Sequence, residues 1–121
     1  MRRNIAVYLD DILESIRRIE VSTRNISQAA FESDVDTQDA VVRRIEIVGE
    51  AIKHIPQEFR DTHPQVPWRK VAGTRDVIIH NYFDVNLGGI WNIIQNDLAP
   101  LKQQVIDILA EFDGEQTTPP Q

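Results

Sequence analysis

The stretch "WRKVAGTRDVIIHNYFDV" places Arg75, Asp76, His80 and Tyr82 within eight residues of one another. An arginine grips a phosphate through two parallel N–H bonds. A histidine that titrates near neutrality can move the proton of an RNA 2′-hydroxyl. Asp76 lies four residues before His80, on the same face of a helix, where a carboxylate can accept from one ring nitrogen and leave the other for proton transfer. Together these residue types suggest phosphodiester chemistry. Metal ligation is less attractive, because His54, His63 and His80 show no ligand spacing of the HExxH kind.

Helical geometry constrains how the four can act. Arg75 and Tyr82 are seven residues apart and nearly superpose, whereas His80 stands about 140° around the axis from Arg75. One ideal helix therefore cannot aim Arg75 and His80 at a single small target. Either the helix distorts near Ile79, or two copies of the chain face each other across a shared cleft. Structural roles remain open for each residue. Arg75 can pair with Asp76 or with a carboxylate of another helix, His80 can be a satisfied structural histidine, and Tyr82 can belong to the core. Arg75 interrupts an apolar stripe of Trp68, Val71, Ala72, Ile78, Ile79, Tyr82 and Phe83, so it needs a partner there.

Four main helices and no sheet are expected to position this motif. The first runs from about Asn4 to Glu20 on Ile5, Leu9, Ile12, Leu13, Ile16 and Ile19. "VSTRNIS" breaks it, and Ser27 is placed to cap a short helix through Phe31. The second follows the cap-rich "SDVDT" and stops at Pro56. Its apolar arc is near 200° wide, which predicts contacts on two sides, part of them as a candidate subunit interface. Arg44 interrupts that arc, as a snorkelling side chain or an interface ion pair. His54, four residues after Glu50, reads as a solvated pair. "PQEFRDTHPQVP" is a connector, and Pro67 suits the first turn of the third helix, which carries the motif. "DVNLGG" offers Asp84 and Asn86 as caps. The last helix, from about Leu87 to Phe112, has a narrow apolar seam that Pro100 should kink or divide. The whole predicts an all-α, up-and-down antiparallel bundle over residues 1–113 with a flexible tail over 114–121.

Composition sets outer limits. A chain of 121 residues fits one domain with one core. With no cysteine, disulfides and thiolate metal sites are excluded. A net charge of −6 argues against a broad basic surface that coats nucleic acid, but leaves room for a small site that holds one phosphate. No apolar run is long enough to span a membrane. Asp10, Asp11 and Glu14 interrupt the N-terminal stretch where a signal peptide needs an unbroken apolar run. A cytoplasmic location is the expectation.

The segments "YLDDILESIRRIE", "QDAVVRRIEIVGEAIKHIP", "PWRKVAGTRDVIIHNYFDV" and "WNIIQNDLAPLK", in this order, resemble the HepT-like branch of the HEPN superfamily, over roughly residues 5–110. "RDVIIHNY" fits that family's pattern of arginine, four residues, histidine, one residue, tyrosine. The resemblance implies a helical bundle that forms homodimers with the motif at the interface cleft. It implies a metal-independent RNA endonuclease without cofactor, the toxin of a type VII-like toxin–antitoxin pair. Arg75 and His80 match the catalytic arginine and histidine, and Asp76 the polar residue that commonly follows the arginine. Tyr82 matches the tyrosine to which an MntA-type nucleotidyltransferase antitoxin adds AMP, silencing the toxin. RNA is the implied substrate, and DNA is not, for want of a 2′-hydroxyl. A second reading keeps the chain free of catalysis, as a helical module whose cleft holds a nucleotide or docks a nucleotidyltransferase.

Overall fold

A computed structural model gives the backbone for residues 2–80 and 86–116, and side-chain surroundings for residues 4–74 and 86–112. Among the described residues every regular element is a helix, and there is no strand: α1 (Arg2–Thr23), α2 (Gln28–Glu32), α3 (Val35–His54), α4 (Gln57–Asp61), α5 (Trp68–His80), α6 (Leu87–Asn92), a π-helical turn (Ile93–Asp97) and α7 (Leu98–Gln116). The all-α bundle expected from the apolar periodicity is the fold observed.

Local signals start and stop these helices. After α1, Asn25 takes a left-handed conformation, φ 64°, which asparagine tolerates at a helix end. Ser27 caps α2, its hydroxyl accepting from the Ala30 amide at 3.0 Å. Asp34 caps α3 by accepting from the Thr37 amide at 3.1 Å and the Thr37 hydroxyl at 2.7 Å. Asn86 caps α6 through the Gly89 amide at 2.9 Å. Asp84, the other cap candidate, lies outside the described residues.

The core is built from the expected faces. Leu9, Ile12 and Ile16 of α1, Val41 and Ile52 of α3, and Val105 of α7 are fully buried. α3 is the central helix of the packing, with α1 and α5 both against it, while α7 lies on α1. The wide apolar arc of α3 thus has two neighbours within one chain. Ala40, at the edge of that arc, remains exposed, and Ile47 is half-buried. Lys102 of α7 reaches Glu20 of α1 at 2.9 Å and ties the two together.

Pro100 acts one turn upstream of itself. The chain from Leu87 onward does not break. It widens at Ile93–Asp97, where the Leu98 amide bonds back five residues to the Ile93 carbonyl. A proline has no N–H and its ring crowds the carbonyl four residues before it, here Asn96 within the π turn. Widening the helix is how the seam passes the proline: Ile90, Leu98, Leu101, Ile108 and Phe112 stay buried on both sides of it.

Candidate functional site

α5 carries the motif, so what fixes α5 fixes the site. Its first residue, Trp68, is buried, and the indole N–H is shared between the carbonyls of Arg60, at 3.2 Å, and His63, at 3.0 Å. Both carbonyls belong to the connector between α3 and α5. That connector is itself fastened. His63 donates from Nε2 to Oε2 of Glu111 on α7 at 2.9 Å. Its ring stacks on Phe59 with centroids 4.5 Å apart, and Phe59 in turn stacks on Phe112 of α7 at 5.9 Å. α5 therefore begins beside the end of α3 and runs back along it. Pro67 sits one residue earlier than a first-turn position: its carbonyl accepts from the Val71 amide at 3.0 Å, which makes it the residue just before the helix.

Beyond Trp68, Val71 and Ala72 are half-buried, and the Thr74 hydroxyl donates to the Lys70 carbonyl at 3.2 Å. Arg75, Asp76 and His80 occupy the last two turns of α5, through its final residue. Their side chains, and all of Tyr82, lie outside the described residues.

Alongside α5, across from the π turn, opens a cavity of about 290 Å³. Val71, Ile93, Leu98 and Leu101 form its apolar walls, Thr74 is at its rim, and Lys70 spans it to Asp97 at 3.8 Å. Among the described residues, no group of three His, Cys, Asp or Glu side chains is placed to hold a metal ion. No described helix is long and apolar enough to cross a membrane.

Three-dimensional packing adds features the linear reading missed. His54 does bond Glu50, at 3.3 Å with both side chains half-exposed, but it also stacks on Tyr8 of α1, centroids 5.2 Å apart and planes 14° off parallel. Arg44 is half-buried beside a groove between α1 and α3, which Arg17, Arg18 and Arg43 also line. The pairs Arg17–Arg18 and Arg43–Arg44 are plain in the sequence, but only the packing of α1 on α3 makes one cluster of them.

The sequence that builds these helices matches a known family. The model of the family described as "Ribonuclease HepT-like" matches residues 12–108, from the first helix through most of α7. A Thermococcus cleftensis protein named "Probable ribonuclease HepT" is 45% identical over 102 residues, covering 84% of this chain and 93% of its own. A Caldanaerobacter subterraneus protein named as a "Putative RNase" is 42% identical over 102 residues, covering 84% and 91%. A Methanocaldococcus jannaschii protein named "Gamma-glutamylcyclotransferase and putative RNase" is 43% identical over 113 residues. The match takes in 93% of this chain but 51% of that longer relative, so this chain spans about half its length. No solved structure matches the chain. The motif on α5 and the helices that hold it fall within the matched span, and the chain belongs to the HepT-like ribonuclease family.

Proposed function

We propose that this protein is a metal-independent RNA endonuclease that works as a homodimer, the toxin of a toxin–antitoxin pair whose partner nucleotidyltransferase silences it by adding AMP to Tyr82. The observation that carries the reading is the family match over residues 12–108, a span that includes Arg75, His80 and Tyr82, whose spacing resembles the family's motif. The ribonuclease names of its relatives support the same chemistry.

In this mechanism a histidine acting as general base takes the proton of the 2′-hydroxyl. The freed oxygen attacks the adjacent phosphorus, and the bond to the 5′-oxygen breaks as that oxygen receives a proton from a general acid. The products are a 2′,3′-cyclic phosphate and a 5′-hydroxyl. His80 serves as acid or base, Asp76 orients its ring, and Arg75 stabilises the charge that grows on the phosphate. In a dimer, His80 of one copy can serve a phosphate held by Arg75 of the other, and solvent takes or gives the proton that His80 does not move. AMP attached to Tyr82 carries a phosphate of its own, which competes with RNA for Arg75.

Cleavage of RNA should survive EDTA, leave cyclic-phosphate ends and spare DNA of the same sequence. Arg75→Ala and His80→Ala should each cost roughly 3 kcal/mol or more of transition-state stabilisation, read from kcat/KM. Full activity of the H80A protein, or loss of activity on chelation, overturns the mechanism. With the partner enzyme, ATP and magnesium, intact mass should rise by AMP units and cleavage should cease, while Tyr82→Phe protein should cleave RNA and escape modification. Peptide mapping that places the AMP on Tyr8 would refute the switch.

A further inference from the structure

We propose that the arginine cluster between α1 and α3 is a second contact for the RNA substrate, a backbone-holding surface separate from the Arg75–His80 motif. It rests on the ribonuclease reading above and adds to it the place where the strand is held. Arg17 and Arg18 of α1 and Arg43 and Arg44 of α3 line one open groove of about 480 Å³, with Glu14 at its edge and Val21 in its wall. Arg18 is engaged with Glu14, its Nε donating to Oε1 at 2.8 Å. Arg17, Arg43 and Arg44 make no ion pair with any described residue.

Four guanidinium groups against one carboxylate are out of keeping with a chain of net charge −6. Such a protein repels RNA at long range, so attraction has to come from a local concentration of positive charge. Arginine is the side chain suited to phosphate, because its planar fork matches two oxygens at once. Adjacent arginines on two packed helices, whose axes lie about 8–10 Å apart, span the distance between successive phosphates of a single strand. The half-buried Arg44 and the exposed Val21 also give the groove aliphatic surface on which a ribose can rest.

The seam between α1 and α3 changes sign along its length. Past Arg43 it is lined by Glu46, Glu50 and Asp11, next to the stacked Tyr8 and His54. A polyanion is accepted at one end and turned away at the other, which sets where the strand leaves. Because α5 starts near the end of α3 and runs back along it, Arg43 and Arg44 sit roughly at the height of the motif, on the order of 17 Å from the α3 C-terminus at 1.5 Å per residue. A strand that crosses α3 there meets both.

The test separates holding from cutting. A fluorescein-labelled 2′-O-methyl oligoribonucleotide of about 20 nucleotides cannot be cleaved, and its binding is followed by anisotropy at rising potassium chloride. Replacing Arg17, Arg43 and Arg44 together by alanine should weaken binding at least tenfold at low salt. It should also lower the slope of log affinity against log salt by about 2, near 0.7 for each phosphate no longer neutralised. The triple lysine variant should keep the slope, and Lys53→Ala, on α3 outside the groove, should change nothing. Cleavage of a dinucleotide too short to reach the groove should stay at the wild-type rate in the alanine variant. Wild-type binding and slope in the alanine variant overturn the proposal, and dinucleotide cleavage at the normal rate would then leave the ribonuclease reading standing. A smaller particle by light scattering for the alanine variant, with unaltered RNA affinity per subunit, would make the groove a contact between copies and also overturn it. An alanine variant that fails only to bind an acidic protein partner, with oligoribonucleotide binding intact, does the same. A wild-type protein that neither cleaves the dinucleotide nor binds the oligomer brings down both readings.

Discussion

Asp34 shows how much one exposed carboxylate can set in place. It is the cap of α3, the helix against which both α1 and the motif helix α5 pack. The Thr37 hydroxyl, which donates to Oδ2 at 2.7 Å, is the main reason its carboxyl is held below the usual carboxylate range, and the Thr37 amide adds to the effect. Both bonds favour the ionised form. The folded value is therefore lower than the unfolded one. The stabilisation is fully present above the ordinary value of 3.8 and is lost as pH falls through the folded value. Asp34→Ala should lower the melting temperature at neutral pH by removing the acceptor for the first turn. Asp34→Asn should keep most of the cap, since asparagine ranks with aspartate there, but without the charge. The gap between wild type and the D34N variant should thus be widest near neutrality and close as pH falls below 3.8 through the folded value, in thermal melts followed by circular dichroism. A gap that does not change with pH would mean the charge adds nothing to the cap.

At the scale of elements, the connector matters as much as the helix it leads to. α5 is held at its start by one indole N–H shared between two carbonyls, and the loop that offers those carbonyls is pinned to α7 by His63–Glu111 and by the stacked Phe59 and Phe112. The Arg60 and His63 carbonyls also accept backbone amides, from His63 at 3.1 Å and Val66 at 3.2 Å, so losing the indole N–H strips neither bare. Trp68→Phe should then cost only about 1–2 kcal/mol in urea unfolding, the worth of one hydrogen bond plus imperfect filling. Trp68→Ala should cost about 3–5 kcal/mol, because it also opens a cavity. If the W68F and W68A proteins unfold alike, the hydrogen bond and not the packing anchors α5. The caps at Ser27 and Asn86 and the apolar faces of α1, α3 and α7 were legible in the sequence because each is decided within one or two turns, whereas α3 starts at Val35, inside the stretch "SDVDT" after which it was expected, with Asp34 as its cap. What escaped it was long-range or geometric. Pro100 announced an irregularity, but whether the helix would bend, break or widen depended on keeping Ile90 and Leu98 in one core. His63 meets Glu111 across 48 residues, and Tyr8 meets His54 only because α1 lies on α3. For Arg75–His80, residue type and spacing along a single helix suggest a chemistry, and the variants proposed above are its test.

At the scale of the whole molecule, the helical offset of about 140° between Arg75 and His80 bears on whether one chain is enough. A long helix cannot turn both toward one phosphate, whereas a two-fold axis beside α5 would set the arginine of one copy opposite the histidine of the other. An isologous dimer of this kind has two equivalent sites, each drawing on both chains. The proposal can be tested by mixing two inactive proteins, the R75A and H80A variants, under conditions that let subunits exchange. With random exchange, half of the dimers are mixed. If each site takes its arginine from one copy and its histidine from the other, a mixed dimer has one site with both residues intact and one with neither. The mixture should then recover up to about a quarter of wild-type activity, on an isologous interface with independent sites. If each site draws both residues from its own chain, no mixed dimer has a complete site, and activity stays at the level of the separate variants however long the exchange. Light scattering on the same samples shows that dimers are present, and a differently tagged copy of each variant, recovered together by either tag, shows that exchange took place. A dimer that exchanges freely yet recovers no activity would place the whole site within one chain, and would require α5 to depart from a regular helix between Arg75 and His80.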